Sequence, residues 1–243
     1  MEKKQILPRI VCILGPTACH KTECSIELAK RIGGEIVSAD SVQVYIGMDI
    51  GSAKPTREEQ EGIRHHMIDC VPIDTPEFSV SQYRTMATQA IYEIAARGHV
   101  PIVVGGSGLY LNALTYPLGF AVPRNDAIRA HLSDAYDENP QSAFERLRAV
   151  DPNTAKRLHP NDKKRIVRAL EVFDCSGKPL SEYGGDFQNE AEQQGTFEPL
   201  LFGLNMERTL LYERINRRVD VMMQQGLLEE ARRIYDAHFD PNL

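Results

Sequence analysis

Residues 13–25, ILGPTACHKTECS, contain the pattern that decides the fold. An apolar strand runs into Gly15, and a short loop then leads to Lys21 and Thr22 at the start of a helical segment. A glycine loop at a helix N-terminus presents backbone N–H groups and a positive dipole end to an anion, and the lysine and hydroxyl complete a phosphate-binding loop. Such loops usually have glycine where this chain has His20, whose Cβ resists the positive φ that the loop often needs. The stretch therefore predicts a phosphate site with a variant loop.

The composition limits the class of protein. With 243 residues, of which 42% are hydrophobic, the chain suits one large domain or a domain with an insertion. It has no apolar run long enough to cross a bilayer and no signal peptide, so we expect a cytoplasmic protein without a membrane segment. Its five cysteines include no C-x-x-C pair, which argues against a disulfide framework and a zinc site. Cys19 is either a reactive thiol or a small residue in place of serine.

Alternating strand and helix patterns predict an α/β protein. Four β-branched runs read RIVCILG, EIVSAD, VPIVVGG and PLLFGL, and helical patterns lie between the early ones. This order predicts a mainly parallel, P-loop NTPase-like sheet flanked by helices. Residues 1–122 and 195–243 are interpreted as this core domain. The charged helical segments of residues 123–194 are interpreted as a helical insertion domain.

Polar residues are predicted to gather at the carboxyl ends of the strands, where ligands bind in such sheets. Asp40 follows the second run, and a carboxylate there either accepts a proton from an incoming nucleophile or caps a turn. Position alone leaves both roles open. Gly105, Gly106 and Ser107 follow the third run, and without an aspartate there the usual second magnesium ligand of many nucleotide hydrolases is not obvious.

The C-terminal stretch of residues 205–239 is predicted to form one long amphipathic helix. Arg214 and Arg218 are four residues apart, so they share a helix face and can converge on an anion, although surface arginines are the commoner explanation. Arg217 points to a different side of this helix.

Charge is unevenly distributed along the chain. The formal net charge of -6 gives no global sign of nucleic-acid binding. The segment of residues 156–171, KRLHPNDKKRIVRALE, is nevertheless strongly basic. An acidic protein can present one basic face to a nucleic acid, and a solvated helix face is the other interpretation of such a run.

Six ordered motifs closely resemble those of the tRNA dimethylallyltransferases, also called tRNA isopentenyltransferases. They read GPTACHKT, SADSVQVYIGMDIGSAKP, HHMID, GGSGLYLNAL, LHPNDKKRIVRALEV and ERTLLYERINRRVDVMMQQGLLEEA, and they extend from end to end of the chain. The resemblance implies transfer of a dimethylallyl group from its diphosphate to N6 of the adenosine adjacent to the anticodon. It also implies a requirement for Mg²⁺, release of pyrophosphate, and binding of the tRNA anticodon stem-loop by the helical insertion.

The resemblance also implies roles for individual residues. The predicted catalytic residues are Asp40 as the base, Ser107 near the bridging oxygen or the base, and Arg218 on the leaving diphosphate. The predicted diphosphate-binding residues are Gly15, Thr17, Ala18, His20, Lys21, Thr22 and Arg214, and Thr22 is also the predicted Mg²⁺ ligand. The predicted tRNA-binding residues are Ser41, Gln43, Lys163, Lys164, Arg165 and Arg168.

Two features depart from the family pattern, and they keep other functions open. His20 replaces a family glycine, and the chain is shorter at its C-terminus than family members usually are. A relative that binds tRNA without catalysis is therefore one alternative to an active, monomeric enzyme. A P-loop kinase of small molecules is another, although it does not explain the later motifs.

Overall fold

The computed structural model describes residues 8–75, 78–116, 122–183 and 197–238. The chain divides into two compact units, residues 1–115 with 195–243 and residues 116–194. No helix in the described ranges is both long and apolar enough to span a membrane.

The first unit is built on a parallel sheet. In the described part of the chain its strands are β1 (Arg9–Leu14), β2 (Gly34–Ser38), β3 (His65–His66), β4 (Val100–Gly105) and β5 (Glu198–Gly203). They lie in the order β3-β2-β4-β1-β5, and the ladders that join them are all parallel. The α/β class and the mainly parallel, P-loop-like sheet predicted from the sequence are thus confirmed.

Helices connect the strands and form the second unit. In chain order, the described helices are α1 (Lys21–Ile32), α2 (Val80–Ala96), α3 (Gly108–Thr115), α4 (Asp126–Glu138), α5 (Pro140–Val150), α6 (Pro152–Ala155), α7 (Lys163–Ser176), α8 (Arg208–Gln224) and α9 (Leu227–His238). A short 3₁₀ helix lies at Leu180–Glu182.

The central strands are apolar on both faces because helices cover both. Ile36 and Ile102 pack with α1 on one face, whereas Val37 and Val103 pack with α2 and α3 on the other. Side chains of consecutive strand residues point to opposite faces, so a doubly covered strand reads as a continuous apolar run. This arrangement fixes β1, β2 and β4 side by side and brings their carboxyl ends to one edge.

The C-terminal stretch differs from the single helix predicted for it. It forms α8 and α9, separated at Gly226, which has φ 99°. A residue with positive φ ends a right-handed helix, and glycine adopts that conformation without a steric penalty. None of the residues of α8 is buried, so its apolar positions do not form the core-facing stripe of an ordinary amphipathic helix.

His65 and His66 form the edge strand β3. It joins a cluster around Glu35 of β2, whose side chain is 5% exposed. The Glu35 carboxylate accepts hydrogen bonds from Arg97 (Nη2 to Oε2, 2.8 Å), from His66 (Nε2 to Oε2, 2.6 Å) and from His99 (Nδ1 to Oε1, 2.7 Å). Each histidine of this two-residue strand is therefore held by a side-chain hydrogen bond. His66 bonds to Glu35, and the His65 Nδ1 bonds to the Ile63 carbonyl oxygen at 2.8 Å.

Replacing Glu35 with glutamine is expected to lower the free energy of unfolding at pH 7 by about 3 kcal/mol. Burial alone raises the pKa of Glu35, but the hydrogen bonds from Arg97, His66 and His99 outweigh it and lower the pKa from its ordinary value of 4.5 to about 2. Because the folded-state pKa is the lower one, the stabilisation is complete above about pH 5 and is lost as the pH falls towards 2.

Urea unfolding at several pH values tests this prediction. The difference between the Glu35→Gln protein and the unchanged protein should shrink as the pH falls from 5 towards 3. Glu27→Gln, which removes an exposed ion pair with Arg31, is the control and should cost less than about 1 kcal/mol. A difference that stays constant down to pH 3 would show that Glu35 acts through packing and not through its charge.

The second unit is helical in its described residues. Leu132 and Tyr136 of α4 pack with Leu147 of α5 and with Ile166 and Leu170 of α7. Three of its helices begin at side chains that accept backbone N–H groups: Asn125 for α4, Asn139 for α5 and Asp151 for α6.

Buried Glu171 organises one end of the second unit. Its carboxylate accepts hydrogen bonds from the Asn125 backbone N–H (2.8 Å), from Arg129 (2.9 Å) and from Arg168 (2.9 Å). A carboxylate with no exposed surface requires such partners, because an unpaired charge in the interior is costly. These contacts hold the half-buried Arg168 against this carboxylate.

Candidate active site at the strand ends

The phosphate loop occupies residues 15–20, between β1 and α1. A Cβ built on Gly15 would lie 2.7 Å from the Leu204 carbonyl oxygen and 2.7 Å from the Cys19 Sγ, so the position requires glycine. Ala18 and His20 both have φ 65°, and no side chain caps the N-terminus of α1. The first backbone N–H groups of α1 thus have no capping side chain, which leaves them able to bind an anion.

His20 adopts the left-handed conformation that its Cβ was expected to resist, with φ 65° and ψ 25°. Its Nδ1 lies 3.2 Å from the Glu23 Oε1 and 3.4 Å from the Arg214 Nη2. The imidazole is thus held by neighbours on α1 and α8. Cys19 is only 5% exposed, so it occupies the loop as a small packed residue rather than as an exposed thiol.

Lys21 lies against the loop itself. Its Nζ donates hydrogen bonds to the carbonyl oxygens of Gly15 (2.9 Å) and Pro16 (2.6 Å). Burial lowers the pKa of Lys21, and among the nearby charged groups Arg218 lowers it further while Cys19 and Asp40 raise it. The lysine, one arginine of α8 and the carboxylate after β2 therefore interact at the same end of the sheet.

Helix α8 brings its arginines to the phosphate loop. The Arg214 Nε donates a hydrogen bond to the Ala18 carbonyl oxygen at 2.8 Å. Arg218, one helical turn later, lies close enough to Lys21 to lower its pKa. Within the described residues, the Arg218 guanidinium makes no hydrogen bond or ion pair, so its donors are available to an anion.

Asp40 caps a turn with one of its two carboxylate oxygens. Its Oδ1 accepts hydrogen bonds from the backbone N–H groups of Val42 (2.8 Å) and Gln43 (3.3 Å). Its Oδ2 accepts none from the residues that the structure describes. The two interpretations of Asp40 are therefore compatible, because the turn fixes the carboxylate while the second oxygen can accept a proton.

Ser107 lies beside the Asp40 turn. Its Oγ accepts a hydrogen bond from the Ser41 backbone N–H at 3.2 Å, and its own N–H donates to the Ala39 carbonyl oxygen at 3.2 Å. The close contact of these strand ends depends on Gly105, because a Cβ built there would lie 2.1 Å from the Ala39 oxygen. The exposed Ser41 and the half-buried Ser107 thus lie beside Asp40.

The side chain of Gln43 is engaged within the protein. Its Oε1 accepts a hydrogen bond from the Ser38 hydroxyl at 3.0 Å, and its Nε2 lies 3.3 Å from the carbonyl oxygens of Ser52 and Ala53. This arrangement joins the Asp40 turn to the loop that follows it. Its predicted contact with tRNA stays a prediction.

The predicted tRNA-binding residues of the second unit lie in different environments. Lys164 and Arg165, at the start of α7, are exposed. Lys163 forms an ion pair with Asp137 at 2.5 Å. Arg168 forms an ion pair with Glu171 and donates to the Val122 carbonyl oxygen at 2.7 Å. Of these four, Lys164 and Arg165 are the best placed to meet a phosphate backbone.

Thr22, in the first turn of α1, has a side chain suited to a Mg²⁺ ion. Its side-chain hydroxyl makes no hydrogen bond among the described residues, and it lies in the first turn of α1 beside Lys21. No group of three His, Cys, Asp or Glu in those same ranges could hold a metal by itself. Mg²⁺ commonly binds one or two protein oxygens together with substrate phosphates. The Thr22 hydroxyl could therefore hold a Mg²⁺ ion together with the phosphates of a substrate.

Comparisons with known proteins agree on one family. A family model described as IPP transferase matches residues 43–243. A tRNA dimethylallyltransferase of Geobacillus thermodenitrificans is 46% identical over 230 residues, which cover 94% of this chain and 71% of that protein.

Solved structures of similar proteins extend this result. A tRNA delta(2)-isopentenylpyrophosphate transferase from Staphylococcus epidermidis is 40% identical, with a TM-score of 0.64 over 96% of this chain and 75% of that chain. A eukaryotic dimethylallyltransferase described as acting on tRNA is 31% identical, with a TM-score of 0.79 over 95% of this chain and 56% of that chain.

Proposed function

Because the chain belongs to the IPP transferase family, we propose that it transfers a dimethylallyl group from dimethylallyl diphosphate to the N6 amine of the adenosine adjacent to the anticodon in tRNA. The observation that carries this proposal is the arrangement at the strand ends, where Lys21 and Arg214 bind the phosphate loop and a turn fixes the Asp40 carboxylate. It combines a proton acceptor and a cationic anion site at one end of the sheet. A transfer that deprotonates an amine and releases a diphosphate needs both.

The leaving group is bound by the phosphate loop and α8. As the bond between C1 of the allyl group and the bridging oxygen breaks, the electron pair stays on the diphosphate, where negative charge increases. The N–H groups of α1, Lys21, Arg214 and Arg218 surround this charge with donors that are already in place. Mg²⁺, when bound at Thr22, supplies further positive charge to the phosphates.

The acceptor is activated at Asp40. The N6 lone pair forms the new bond to C1, and the N6 proton passes to the Asp40 carboxylate. Ser107 and Ser41 border the same position and can orient the base. The adenosine must leave the base stack to reach this edge, as is usual for enzymes that modify a base.

The helical second unit is proposed to bind the anticodon stem through phosphates. Its exposed Lys164 and Arg165 are suited to such contacts, which depend on charge and carry no base specificity. The expected cytoplasmic location and monomeric state also stay predictions.

Transfer of label from radiolabelled dimethylallyl diphosphate to an unmodified anticodon stem-loop tests the function. We expect label in the RNA when Mg²⁺ is present. A stem-loop with guanosine at the target position lacks the N6 amine and should remain unlabelled. Binding of the stem-loop without transfer would instead support a non-catalytic tRNA-binding relative. Thermal stabilisation by ATP and not by dimethylallyl diphosphate would support the kinase alternative.

Replacing His20 with glycine is expected to stabilise the protein by about 0.5–1 kcal/mol and to lower the KM for dimethylallyl diphosphate. Glycine removes the steric cost of φ 65° at this position. It also removes the imidazole that lies 3.4 Å from Arg214, which frees that guanidinium for the diphosphate. Thermal unfolding and steady-state kinetics measure the two effects.

Ala18→Gly is the matched control, because Ala18 has the same φ of 65° and no imidazole. It should raise the stability by a similar amount and leave the KM unchanged. An equal fall in KM for both variants would show that loop strain, and not the imidazole, limits donor binding.

A further inference from the structure

Glu230 of α9 has an unusual set of hydrogen-bond partners. Its side chain is buried, with 7% exposure, and it meets three successive backbone N–H groups. The Oε2 accepts from Asp49 and Ile50, each at 2.9 Å, and the Oε1 accepts from Gly51 at 2.9 Å. Consecutive N–H groups that converge in this way form an anion-binding nest, which here is filled by a carboxylate of the protein itself.

The carboxylate is charged when it makes these contacts. Burial alone raises the pKa of Glu230, but the N–H groups of Gly51, Ile50 and Asp49 outweigh burial and lower the pKa below its ordinary value. Hydrogen bonds to an ionised acceptor are about twice as strong as neutral ones. The contact is therefore a strong attachment between α9 and the loop of residues 47–54, and Arg233 adds a second one by donating to the Gly47 carbonyl oxygen at 3.2 Å.

The attached loop is cross-linked internally by Lys54. Its side chain is 5% exposed, and its Nζ donates to the Tyr45 carbonyl oxygen at 2.9 Å, to the Asp49 carboxylate at 2.7 Å and to the Asp69 carboxylate at 2.5 Å. A buried ammonium with three acceptors joins these segments into one unit. A restraint at Asp49 is thus transmitted to the residues on both sides of it.

The loop is in turn bound to the Asp40 turn. The Gln43 Nε2 lies 3.3 Å from the carbonyl oxygens of Ser52 and Ala53, immediately after the nest. The Gln43 backbone N–H donates to the Asp40 Oδ1 at 3.3 Å. A continuous series of hydrogen bonds therefore runs from Glu230 through the loop and Gln43 to Asp40.

We propose that Glu230 is a positioning residue for the transfer reaction, and that it acts by holding the loop and the Gln43 contact that orient the Asp40 carboxylate towards the acceptor amine. This inference rests on the proposed role of Asp40 as the base. It assigns α9 a part in catalysis without contact with either substrate.

Glu230→Gln tests the proposal because it preserves the length of the side chain. The amide has one acceptor oxygen, and its NH₂ group opposes an N–H donor of the nest. With saturating substrates we expect kcat to fall by ~10- to 100-fold, since the hydrogen bonds at stake involve a charged group. The KM for dimethylallyl diphosphate should change by less than about twofold, because neither Glu230 nor the loop of residues 47–54 takes part in the contact between Arg214 and the phosphate loop.

Glu229→Gln is the control for charge. Glu229 is the adjacent residue and is exposed, so its replacement removes the same charge without affecting the nest. It should leave kcat unchanged. Equal losses in the two variants would overturn the proposal.

A double-mutant cycle with Asp40→Asn separates positioning from a merely structural effect. Single-turnover rates of the two single variants and the combined variant are measured well below their unfolding temperatures. If Glu230 acts through Asp40, its replacement should cost little once Asp40 is replaced, whereas independent effects multiply.

The outcomes distinguish this inference from the proposed function. Transfer by the unchanged protein, with a reduced rate for Glu230→Gln and a non-multiplicative cycle, supports both. Transfer by the unchanged protein with full activity of Glu230→Gln, or with multiplicative losses, overturns the inference alone. Absence of transfer by the unchanged protein contradicts the function and the inference together.

Discussion

Replacing Asp40 with asparagine is expected to lower kcat by ~10²- to 10⁴-fold, the contribution typical of a general base. Asparagine keeps the Oδ1 that accepts the N–H groups of Val42 and Gln43, so the turn should remain intact. It removes the negative charge that receives the N6 proton. The variant should therefore bind both substrates and unfold at nearly the same temperature as the unchanged protein. Single-turnover label transfer and thermal unfolding measure the two properties.

Asp40→Ala separates the two roles of this residue. Alanine removes both the base and the cap, so it should lose the same activity and in addition about 1 kcal/mol of stability. If Asp40→Asn retained activity within a few-fold while Asp40→Ala were destabilised, the carboxylate would be a turn cap and the base would have to be another group.

Replacing Arg218 with alanine is expected to lower kcat/KM for dimethylallyl diphosphate by ~10²- to 10³-fold, as for other donors placed where charge develops. Its guanidinium interacts with Lys21 and has no hydrogen-bond partner among the described residues. Little stability should therefore be lost. Arg218→Lys should retain part of the activity, because it keeps the charge and loses the planar set of donors.

Arg217 provides the control on the same helix. It is the preceding residue, it is exposed, and it points away from the loop side on which Arg214 and Arg218 lie. Arg217→Ala should change kcat/KM by less than about threefold. Similar losses in Arg217→Ala and Arg218→Ala would indicate a general electrostatic effect of α8 rather than a specific contact.

Periodicity predicts the parts of the fold that bury apolar surface on both sides. β1, β2 and β4 coincide with three of the four runs that the sequence indicated, because doubly covered strands are continuous apolar runs. β5 coincides with the fourth run, although its residues are mostly exposed. β3 escapes this reasoning, since it is two histidines held by hydrogen bonds to Glu35 and to a backbone carbonyl. The break between α8 and α9 depends on the positive φ of Gly226. The spacing of apolar residues along this stretch does not predict that break.

The site is predictable where a motif specifies the local backbone. The loop residues and Asp40 lie at strand ends for reasons that the sequence pattern contains. Glu230 lies outside this reasoning because it contacts residues 49–51, which are 179 to 181 positions away in the chain. Arg168 could not be placed from the sequence either. Its position in a basic run suggests a solvent-exposed side chain, but in the fold it forms an ion pair with the buried carboxylate of Glu171.

The hydrogen bond from Arg214 to Ala18 joins residues that are 196 positions apart. During synthesis the phosphate loop leaves the ribosome well before α8 and α9, which lie far later in the chain. Contacts of such long separation form late, because the entropy of closing the intervening chain must be offset first. A nascent chain therefore holds an incomplete anion site until α8 has been synthesised, and acquires the donors of Arg214 and Arg218 only when that helix docks beside the phosphate loop.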